Sequence, residues 1–558
     1  MNMDVQQLKD MKNVIKLAID DENISKFILN ALNTVIDIEQ LGSLFEKSLE
    51  QLERKNKGQF YTPKEIIDYM ISYLDIGGEK RIIDPACGCG SFLLSIMENI
   101  KEQEDNSNFS NIYGIDINKN AVDITKLSLI IKSGFKKEYI EIFDKNIVAG
   151  NSIVENKKID SLAIDWKKTF HKVIKNGGFD IVIGNPPYIT LKKGKKFDPD
   201  ESVYKSIIKG PVNAATLMIG KGLEYLKKGG ILAFVLPKSI LHVNSYSKLR
   251  DYILNNTSIL HIFDLGLKFK DVRGEQIILI LKKEKPSPKH LIEIKILKNP
   301  EKNLKHQPSH FVKQSVFKLF NNKVLIFDNE LCYSVLQKIY SNSKGKRLYN
   351  VVNGQIFRGL PLNNKVSTEP IEEHNEKIIR GKSIVKFSIN NVGYVGKKDV
   401  EAINKNLLKK IKTKKIVMQN IFSSESGIIA AYDKEGLLTL DTVTNIIVQD
   451  DVWAKYLLGL LHSKLINFYV SFALFNRGRL TMHLDRSYIG EIPIANIQNI
   501  DRYNLINLVD AAINEKQDIK ELLKAIDEEV YKIYNLTNKE IKLIETEANR
   551  LLSKKSRW

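Results

Sequence analysis

Short apolar runs that alternate with helical stretches are the feature that most constrains the fold of this chain. Between about residues 58 and 285 these runs lie at residues 81–84, Ile112–Asp116, Phe179–Gly184 and residues 231–236, with helical patterns between them. Strands joined by helices predict a parallel, doubly wound α/β sheet of the Rossmann type. Such sheets bind ligands at the carboxyl ends of their strands. The residues that follow each run are therefore the candidates for a functional site.

A helix is predicted over residues 214–228. It is expected to end at Lys227, Lys228, Gly229 and Gly230, because basic residues followed by glycine typically close a helix. Charge and proline at residues 282–290 then interrupt the alternating pattern. The sequence beyond is mixed up to about residue 500, and the remainder is strongly helical. This change predicts a second domain of α+β type after the first.

A glycine-rich loop follows the first run, with the sequence Asp-Pro-Ala-Cys-Gly-Cys-Gly at residues 84–90. Gly88 and Gly90 let the backbone turn sharply and approach a ligand closely. The helix behind the loop favours polar or anionic ligand groups at its N-terminus. Nucleotide-binding dehydrogenases carry similar loops. Cys87 and Cys89 alone cannot complete a tetrahedral metal site, so no metal is expected.

Two further motifs follow the next strands. Asp116 ends the run Ile112–Asp116, where an acid suits hydrogen bonding to the ribose hydroxyls of an adenosine ligand. Asn185, Pro186, Pro187 and Tyr188 follow Phe179–Gly184. The prolines fix φ and hold the Asn185 side-chain oxygen and the Pro186 carbonyl as rigid acceptors beside an aromatic ring. This combination suits a planar amino group that donates two hydrogen bonds while its ring stacks.

The charge of the chain is unevenly distributed. The formal net charge is +19, from 85 Lys and Arg against 66 Asp and Glu. Residues 1–150 carry 18 basic against 24 acidic side chains, residues 151–300 carry 27 against 14, and residues 301–558 carry 40 against 28. A strongly basic surface attracts a polyanion such as nucleic acid, although lysine-rich surfaces without such a partner are also common.

The remaining composition argues for a reducing compartment and against a membrane. Three cysteines and no secretory signal at the start of the chain predict a cytoplasmic, prokaryotic protein. Residues 456–475 are apolar over a spanning length. His462, Lys464 and Asn467 lie in the middle of this segment, where lipid would make them costly. The segment is therefore predicted to be a buried amphipathic helix.

These motifs resemble those of the gamma-class, TaqI-like adenine-N6 DNA methyltransferases, which use S-adenosylmethionine. Residues 59–63 (Gln-Phe-Tyr-Thr-Pro) resemble the N-terminal cofactor motif of that family, residues 84–92 its glycine loop and residues 185–188 its catalytic motif. The implied catalytic residues are Asn185, Pro186, Pro187 and Tyr188. The implied cofactor-binding residues are Tyr61, Thr62, Pro63, Asp84, Ala86, Cys87, Gly88, Gly90, Asp116, Ile117, Asn151 and Ser152.

Position 151 departs from the family pattern. The family often has an acid here that binds the adenine amino group of the cofactor, whereas this chain has Asn151. An asparagine still accepts that hydrogen bond through its carbonyl oxygen.

The resemblance implies four segments. They are a helical N-terminal segment at 1–57, an S-adenosylmethionine-dependent methyltransferase domain at 58–290, a target-recognition domain at 291–500 and a helical C-terminal segment at 501–558. The short interval between Tyr188 and Asn213 leaves no room for a recognition domain, so that domain lies downstream. Candidate DNA contacts are Arg358, Arg380, Arg477 and Arg479, because arginine reads guanine and clamps phosphates. The alternative for each is an ion pair with an acid on a solvated face.

The implied reaction is methyl transfer to the exocyclic N6 of an adenine flipped out of duplex DNA. The chain is then the modification component of a restriction-modification system or a solitary enzyme. The expected partners are double-stranded DNA and, in a paired system, a separate restriction endonuclease; we expect a monomer that does not cleave DNA. Methylation of RNA, of cytosine-N4 or of a protein glutamine stays open, as does a catalytically inactive DNA-binding specificity subunit. A nicotinamide dehydrogenase does not account for residues 185–188.

Overall fold

The computed structural model divides the chain into two compact units, Met1–Val324 and Leu325–Trp558. The segment predicted to be helical at residues 1–57 lies outside the residues that the structure describes. The structure describes residues 62–103, 108–134, 136–191, 202–269, 274–298, 303–370, 375–423, 425–478, 482–495, 502–514 and 518–552.

A nine-stranded sheet organises the first unit. The strands of this unit are β1 (Ile82–Asp84), β2 (Ile112–Asp116), β3 (Ile147–Ala149), β4 (Phe179–Gly184), β5 (Thr190–Leu191), β6 (Val212–Asn213), β7 (Leu226–Pro237), β8 (Ser258–Gly266), β9 (Gln276–Lys282), β10 (Leu291–Ile296) and β11 (Ser309–Lys313). The strand order in the large sheet is β11-β10-β8-β9-β7-β4-β1-β2-β3, and β5 and β6 form a separate two-stranded sheet among the described residues. Since β10 and β11 belong to this sheet, the first unit ends later in the chain than the division predicted at residues 290 and 291.

The strands β3, β2, β1, β4 and β7 run parallel to their neighbours in that order. This confirms the predicted doubly wound α/β fold. The expectation of a wholly parallel sheet is wrong for β9 and β11, which pair antiparallel with their neighbours. Only nine residues separate β8 from β9, fewer than the dozen or more that a crossover between parallel strands needs. The strand order reverses between β1 and β4, which makes their carboxyl ends the expected ligand site.

Nine helices accompany this sheet in the described part of the first unit. They are α1 (Lys64–Ile71), α2 (Ser91–Gln103), α3 (Lys119–Lys132), α4 (Lys137–Asn146), α5 (Trp166–Thr169), α6 (His171–Lys175), α7 (Ser202–Ile207), α8 (Ala214–Tyr225) and α9 (Ser247–Asn256). Ile66 of α1 and Leu93 of α2 pack in one buried cluster with Ile181 and Ile183 of β4. Alternate residues of β4 face this cluster, as the two-residue period of a strand requires.

The prediction of a helix over residues 214–228 is wrong at the C-terminal end of the helix. α8 stops at Tyr225, and β7 begins at the next residue. The pairing of β4 with β7 shifts its register here, because Phe179 faces Leu226 whereas Ile181 faces Ile231. Lys227 to Gly230 therefore form an irregular start of a strand and not a helix stop. A Cβ on Gly230 would lie 2.9 Å from the Asp180 carbonyl oxygen, so this close approach requires glycine.

The second unit combines small sheets with helices, which confirms the predicted α+β character. Its strands are β12 (Ile356–Arg358), β13 (Asn375–Ile379), β14 (Ile384–Val385), β15 (Ser388–Ile389), β16 (Gly393–Gly396), β17 (Lys415–Gln419), β18 (Ile421–Phe422), β19 (Ala430–Asp433), β20 (Leu438–Thr439), β21 (Val443–Ile446) and β22 (Met482–His483). The largest sheet of this unit, among the described residues, has the order β12-β21-β17-β19. The helices of the second unit are α10 (Leu331–Ser343), α11 (Leu348–Val351), α12 (Lys397–Glu401), α13 (Lys405–Ile411), α14 (Asp451–His462), α15 (Lys464–Tyr469), α16 (Arg486–Ile489), α17 (Arg502–Ile513), α18 (Ile519–Ile533) and α19 (Asn538–Leu552).

The apolar segment at residues 456–475 is not one helix. α14 and the helical stretch from Lys464 to Leu474 meet at an angle of 60°. The Ser463 hydroxyl caps α15 by accepting a hydrogen bond from the Ile466 N–H. His462 is buried and accepts from the Ala430 N–H, and Lys464 pairs with Glu545 at 2.6 Å. No single described helix is long and apolar enough to cross a bilayer. The two helices of this bent pair meet that criterion only when their lengths are counted together.

Candidate active site

The glycine loop joins β1 to α2 at the carboxyl edge of the sheet. Gly88 and Gly90 have φ angles of +53° and +87°, which glycine adopts without strain. The Cys87 N–H donates to the Ile115 carbonyl at 2.9 Å, so the loop is fastened to β2. The Thr125 hydroxyl of α3 donates to the Gly88 carbonyl at 2.8 Å. Gly90 lies against the same threonine, since a Cβ there would be 2.9 Å from Thr125 Cγ2.

Two carboxylates stand at the ends of neighbouring strands. Asp84 ends β1 and accepts from the Ala86 N–H at 3.0 Å. Asp116 ends β2 and accepts from the Gly88 N–H at 2.9 Å and from the Asn118 N–H at 2.8 Å. Both are buried, and the described residues form no ion pair with either. Each carboxylate keeps lone pairs that these hydrogen bonds do not use.

Burial sets the ionisation of this pair. Burial raises the pKa of Asp84 to about 8, against the hydrogen bond from Ala86, and the nearby charge of Asp116 raises it further. Burial also raises the pKa of Asp116, although three backbone N–H groups oppose that rise. Desolvation penalises the charged form of a carboxyl group, and a cation beside it reverses the effect. The pair therefore favours a ligand with a positive charge.

The segment after β3 lies beside Asp116, whose carbonyl accepts from the Gly150 N–H at 2.8 Å. The Asn151 amide donates to Asp160 Oδ2 at 2.8 Å, and its oxygen accepts from the Ile153 N–H at 3.2 Å. The asparagine that replaces the usual acid is thus paired with an acid nine residues later. Sequence reasoning missed Asp160, because nothing in the local pattern marks a loop residue that folds back onto position 151.

Other predicted residues of this region divide between buried and exposed positions. Ser152 is buried, and its carbonyl accepts from Trp166 Nε1 at 2.9 Å. Ile117 is 48% exposed and Leu162 49% exposed, although both are large apolar side chains. Leu162 was not predicted, and its only signal is an apolar residue in a polar loop. Ligand sites typically combine apolar side chains with a small number of polar groups.

The Asn-Pro-Pro-Tyr motif begins directly after β4, the neighbour of β1. The Asn185 amide Nδ2 donates to Thr62 Oγ1 at 3.0 Å, and Asn185 Oδ1 accepts from the Tyr188 hydroxyl at 2.7 Å. Pro186 is buried, and its carbonyl oxygen accepts no hydrogen bond from the described residues. Burial raises the pKa of the Tyr188 phenol well above its ordinary range. The motif thus offers two oxygen acceptors and a neutral aromatic side chain.

Close packing joins the motif to the carboxylate pair. Gly184 ends β4 next to Asn185, and a Cβ on Gly184 would lie 2.5 Å from Asp84 Oδ1. The predicted residues at the ends of β1, β2 and β4 are therefore brought to one edge of the sheet. Thr62 and Pro63 precede α1, where the Pro63 carbonyl accepts from the Ile66 N–H at 2.9 Å. Tyr61 lies outside the described residues.

The arginines predicted to bind DNA lie in different surroundings within the second unit. Arg358 is about half exposed, and its Nε donates to the Asp441 carbonyl at 3.2 Å and lies 4.0 Å from Asp485 Oδ1, an exposed ion pair of the kind given as the alternative. Arg380 is half-buried and donates to the Asn391 carbonyl at 2.8 Å. Arg477 is mostly buried and pairs at 3.2 Å with Asp328, which is also mostly buried, so this pair does not lie on a solvated face. Arg479 lies outside the described residues.

Comparisons with known protein families find one match in each unit. The family described as "Eco57I restriction-modification methylase" matches residues 110–270. The family described as "TaqI-like C-terminal specificity domain" matches residues 376–494. The two matches occupy the same order along the chain as the predicted domains.

Named relatives are about one quarter identical to the chain over the aligned residues. Type II methyltransferase M.VspI from Vibrio sp. (strain 343) is 25% identical over 273 residues, 49% of this chain and 59% of that protein. Type II methyltransferase M.CvrRI from Paramecium bursaria Chlorella virus XZ-6E is 26% identical over 246 residues, 43% of this chain and 52% of that protein. The chain thus matches between half and three fifths of the length of these relatives.

Two solved structures share the fold over most of the chain. The Type IIL restriction-modification enzyme MmeI, solved in complex with DNA, has a TM-score of 0.55 at 13% identity and covers 96% of this chain and 78% of that one. A nuclease-deletion mutant of the Type ISP restriction-modification enzyme LlaGI, solved with a DNA substrate mimic, has a TM-score of 0.53 at 13% identity and covers 93% of this chain and 61% of that one.

The fold is shared with the restriction-modification enzymes MmeI and LlaGI, and its strand-end residues are gathered at one edge of the sheet. On this fold, residues 110–270 resemble the Eco57I restriction-modification methylases and residues 376–494 resemble the TaqI-like C-terminal specificity domains. This confirms the resemblance that the sequence motifs predicted.

Proposed function

We propose that this protein is a site-specific DNA methyltransferase that transfers the methyl group of S-adenosylmethionine to N6 of an adenine flipped out of duplex DNA. The observation that carries the proposal is the meeting of three strand ends. Asn185 and Tyr188 follow β4, while Asp84 and Asp116 end the adjacent β1 and β2. An amino-group acceptor and a site for a cationic ligand therefore share one edge of the sheet.

The carboxylate pair fits the cofactor. S-adenosylmethionine carries an ammonium and a sulfonium charge, and Asp84 is a buried carboxyl group without a cation among the described residues. The Asp116 oxygens, each held by a backbone N–H, retain lone pairs for ribose hydroxyls. Exposed Ile117 and Leu162 offer apolar contact for an adenine ring. When bound, the cofactor supplies an electrophilic methyl group.

Residues 185–188 act on the target base. The lone pair of an adenine amino nitrogen is delocalised into the ring, which makes it a weak nucleophile. Asn185 Oδ1 and the Pro186 carbonyl accept the two amino hydrogens, which favours a pyramidal nitrogen with a localised lone pair. The same acceptors stabilise the positive charge that develops on that nitrogen during transfer. Tyr188 stacks against the base and attracts the growing cationic character.

Flipping the base costs a few kcal/mol, and binding of the duplex offsets this cost. The residues from 151 onward carry most of the basic excess of the chain, and neutralised phosphates release counterions on binding. The half-exposed Arg358 is the best placed of the predicted arginines for contact with DNA. In a restriction-modification system, a separate endonuclease would cut the same unmethylated sites; we propose that the monomer acts in the cytoplasm.

Transfer of labelled methyl groups tests the proposal. The full chain is incubated with S-adenosylmethionine and mixed-sequence duplex DNA, and the product is digested to nucleosides. We expect label in N6-methyladenine that is lost in Asn185→Ala. The matched control is Asn256→Ala. Asn256 is an exposed asparagine at the end of α9 whose amide donates to the Tyr252 carbonyl at 2.9 Å, and this variant is expected to keep wild-type activity.

The other outcomes separate the alternatives. Label in N4-methylcytosine, in RNA or in protein would refute the adenine substrate while keeping the cofactor. Binding of duplex DNA without binding of S-adenosylmethionine would identify a specificity subunit and overturn the proposed enzyme. Cleavage of DNA by the purified chain in magnesium would contradict an activity limited to modification.

A further inference from the structure

Thr62 contacts the transfer motif and not only the region expected for the cofactor. Its hydroxyl lies 3.0 Å from Asn185 Nδ2, although 123 residues separate the two in sequence. Thr62 is buried, with 5% of its surface exposed. The resemblance placed this threonine among the cofactor-binding residues, and nothing in that assignment relates it to Asn185.

The backbone around Thr62 holds the hydroxyl in a fixed position. A residue before proline is restricted to extended conformations, and Pro63 directly precedes α1. Ile66 and Met70 of α1 are fully buried in the main core of the first unit. Thr62 is therefore anchored by a short, rigid connection to a packed helix.

The side chain of Asn185 needs such an anchor. The final torsion of asparagine has a broad, roughly two-fold energy profile, so prolines in the backbone do not decide which way the amide faces. Thr62 takes a hydrogen bond from the amide nitrogen, and the oxygen then lies on the side of Tyr188, whose hydroxyl is 2.7 Å away. A base stacked on the Tyr188 ring would meet the amide oxygen and not the NH2 group.

We propose that Thr62 is a positioning residue for methyl transfer, which holds the Asn185 amide with its oxygen directed toward the target amino group. This inference rests on the proposed function. Asn185 Oδ1 keeps one lone pair beyond the hydrogen bond from Tyr188, and that lone pair is available to the substrate. Without the threonine hydroxyl, the amide turns over in part of the molecules. The NH2 group of the Asn185 amide then faces the amino group of the target base, so a donor meets a donor. Methyl transfer slows as a result, while the cofactor still binds.

Steady-state kinetics of the full chain with duplex DNA test this role. Thr62→Val keeps the side-chain shape and removes the hydroxyl, so we expect kcat to fall about tenfold or more while KM for S-adenosylmethionine changes less than about threefold. Thr62→Ser restores the hydroxyl and is expected to return kcat to within about threefold of wild type. Thr62→Val with Asn185→Ala is expected to be no slower than Asn185→Ala alone, because the two residues act as one unit.

The matched control is Thr257→Val. Thr257 is also buried, and its hydroxyl donates to the Ile253 carbonyl at 2.8 Å. It precedes β8, which runs parallel to β4 through β7 and β9, so it lies at the opposite edge of the sheet from Asn185. We expect Thr257→Val to leave both kinetic constants unchanged. Thermal melting of every variant separates a loss of folding from a loss of transfer, and Thr62→Ala replaces Thr62→Val should the latter not fold.

Three results would overturn the positioning role. They are a rise in KM for S-adenosylmethionine at unchanged kcat, a Thr62→Ser variant as slow as Thr62→Val, and additive losses in the double variant. A wild-type chain that transfers no methyl group to DNA refutes the proposed function instead. The variants are then compared on the RNA or protein that accepts the methyl group, where an unchanged kcat refutes the role of Thr62.

Discussion

Under the proposed function, we expect the ionisation of Asp84 to make binding of S-adenosylmethionine depend on pH. Its carboxyl group has a pKa of about 8 because it is buried, so at pH 7 only about a tenth of the molecules hold it as a carboxylate. An ammonium group binds the carboxylate and not the neutral acid. The observed dissociation constant is thus the intrinsic value divided by the ionised fraction. It should fall about ninefold between pH 6 and pH 7, a range in which the ligand ammonium stays largely protonated.

Isothermal titration calorimetry measures this effect directly. Binding at pH 7 should release about 0.9 protons, visible as a heat that changes with the ionisation enthalpy of the buffer. Asp84→Asn should bind more weakly at every pH and lose the dependence. A wild-type affinity that is flat over this range would refute the reasoning, and a slope that survives in Asp84→Asn would assign the titration to Asp116. Because the pKa of Asp84 is higher in the folded protein than the ordinary value of 3.8, its neutral form stabilises the fold at low pH. This stabilisation is lost progressively as the pH rises to about 8.

Four substitutions test the other assignments. Tyr188→Phe should keep kcat within about tenfold because the ring still stacks, whereas Tyr188→Ala should lose about a hundredfold or more in the methylation assay. Arg477→Ala should lower the free energy of unfolding in urea by about 2–3 kcal/mol, because the mostly buried Asp328 loses its ion pair. Arg358→Ala should leave that free energy within about 0.5 kcal/mol and weaken duplex binding by titration, with a shallower salt dependence. Equal effects of the two arginine variants on DNA affinity would contradict this division.

Much of the fold of the first unit follows from local sequence. The runs at Ile112–Asp116 and Phe179–Gly184 become strands with those bounds, because short apolar segments flanked by turns have no other way to bury both faces. The end of α8 was missed for a different reason. Lys227, Lys228 and the two glycines carry a local stop signal, but the pairing of Leu226 with Phe179 extends the strand across it. A tertiary contact thus overrides the local preference, which no periodicity reveals.

The candidate site also combines residues whose proximity the sequence predicts with contacts that the sequence does not predict. Asp84, Asp116 and Asn185 follow strands, and strand ends of a doubly wound sheet meet at one edge, so their proximity was predictable. The hydrogen bonds of Asn151 to Asp160 and of Asn185 to Thr62 depend on how loops fold back. Whether Arg477 faces solvent or an acid also depends on the local backbone, which has a φ of +59° at this residue. Sequence spacing carries no information on any of these three.

The groups around Asn185 also determine what kind of catalysis the site can support. Among the described residues, its side-chain partners are the hydroxyl groups of Thr62 and Tyr188. Burial raises the pKa of the Tyr188 phenol, so this hydroxyl stays protonated at neutral pH and does not act as a base. Under the proposed function, this environment favours transfer through acceptors that stabilise a positive nitrogen, with the proton lost after the methyl group has moved. Under this chemistry the direction of the amide oxygen controls the rate, which is why the anchoring of Asn185 by Thr62 matters more than the basicity of any nearby side chain.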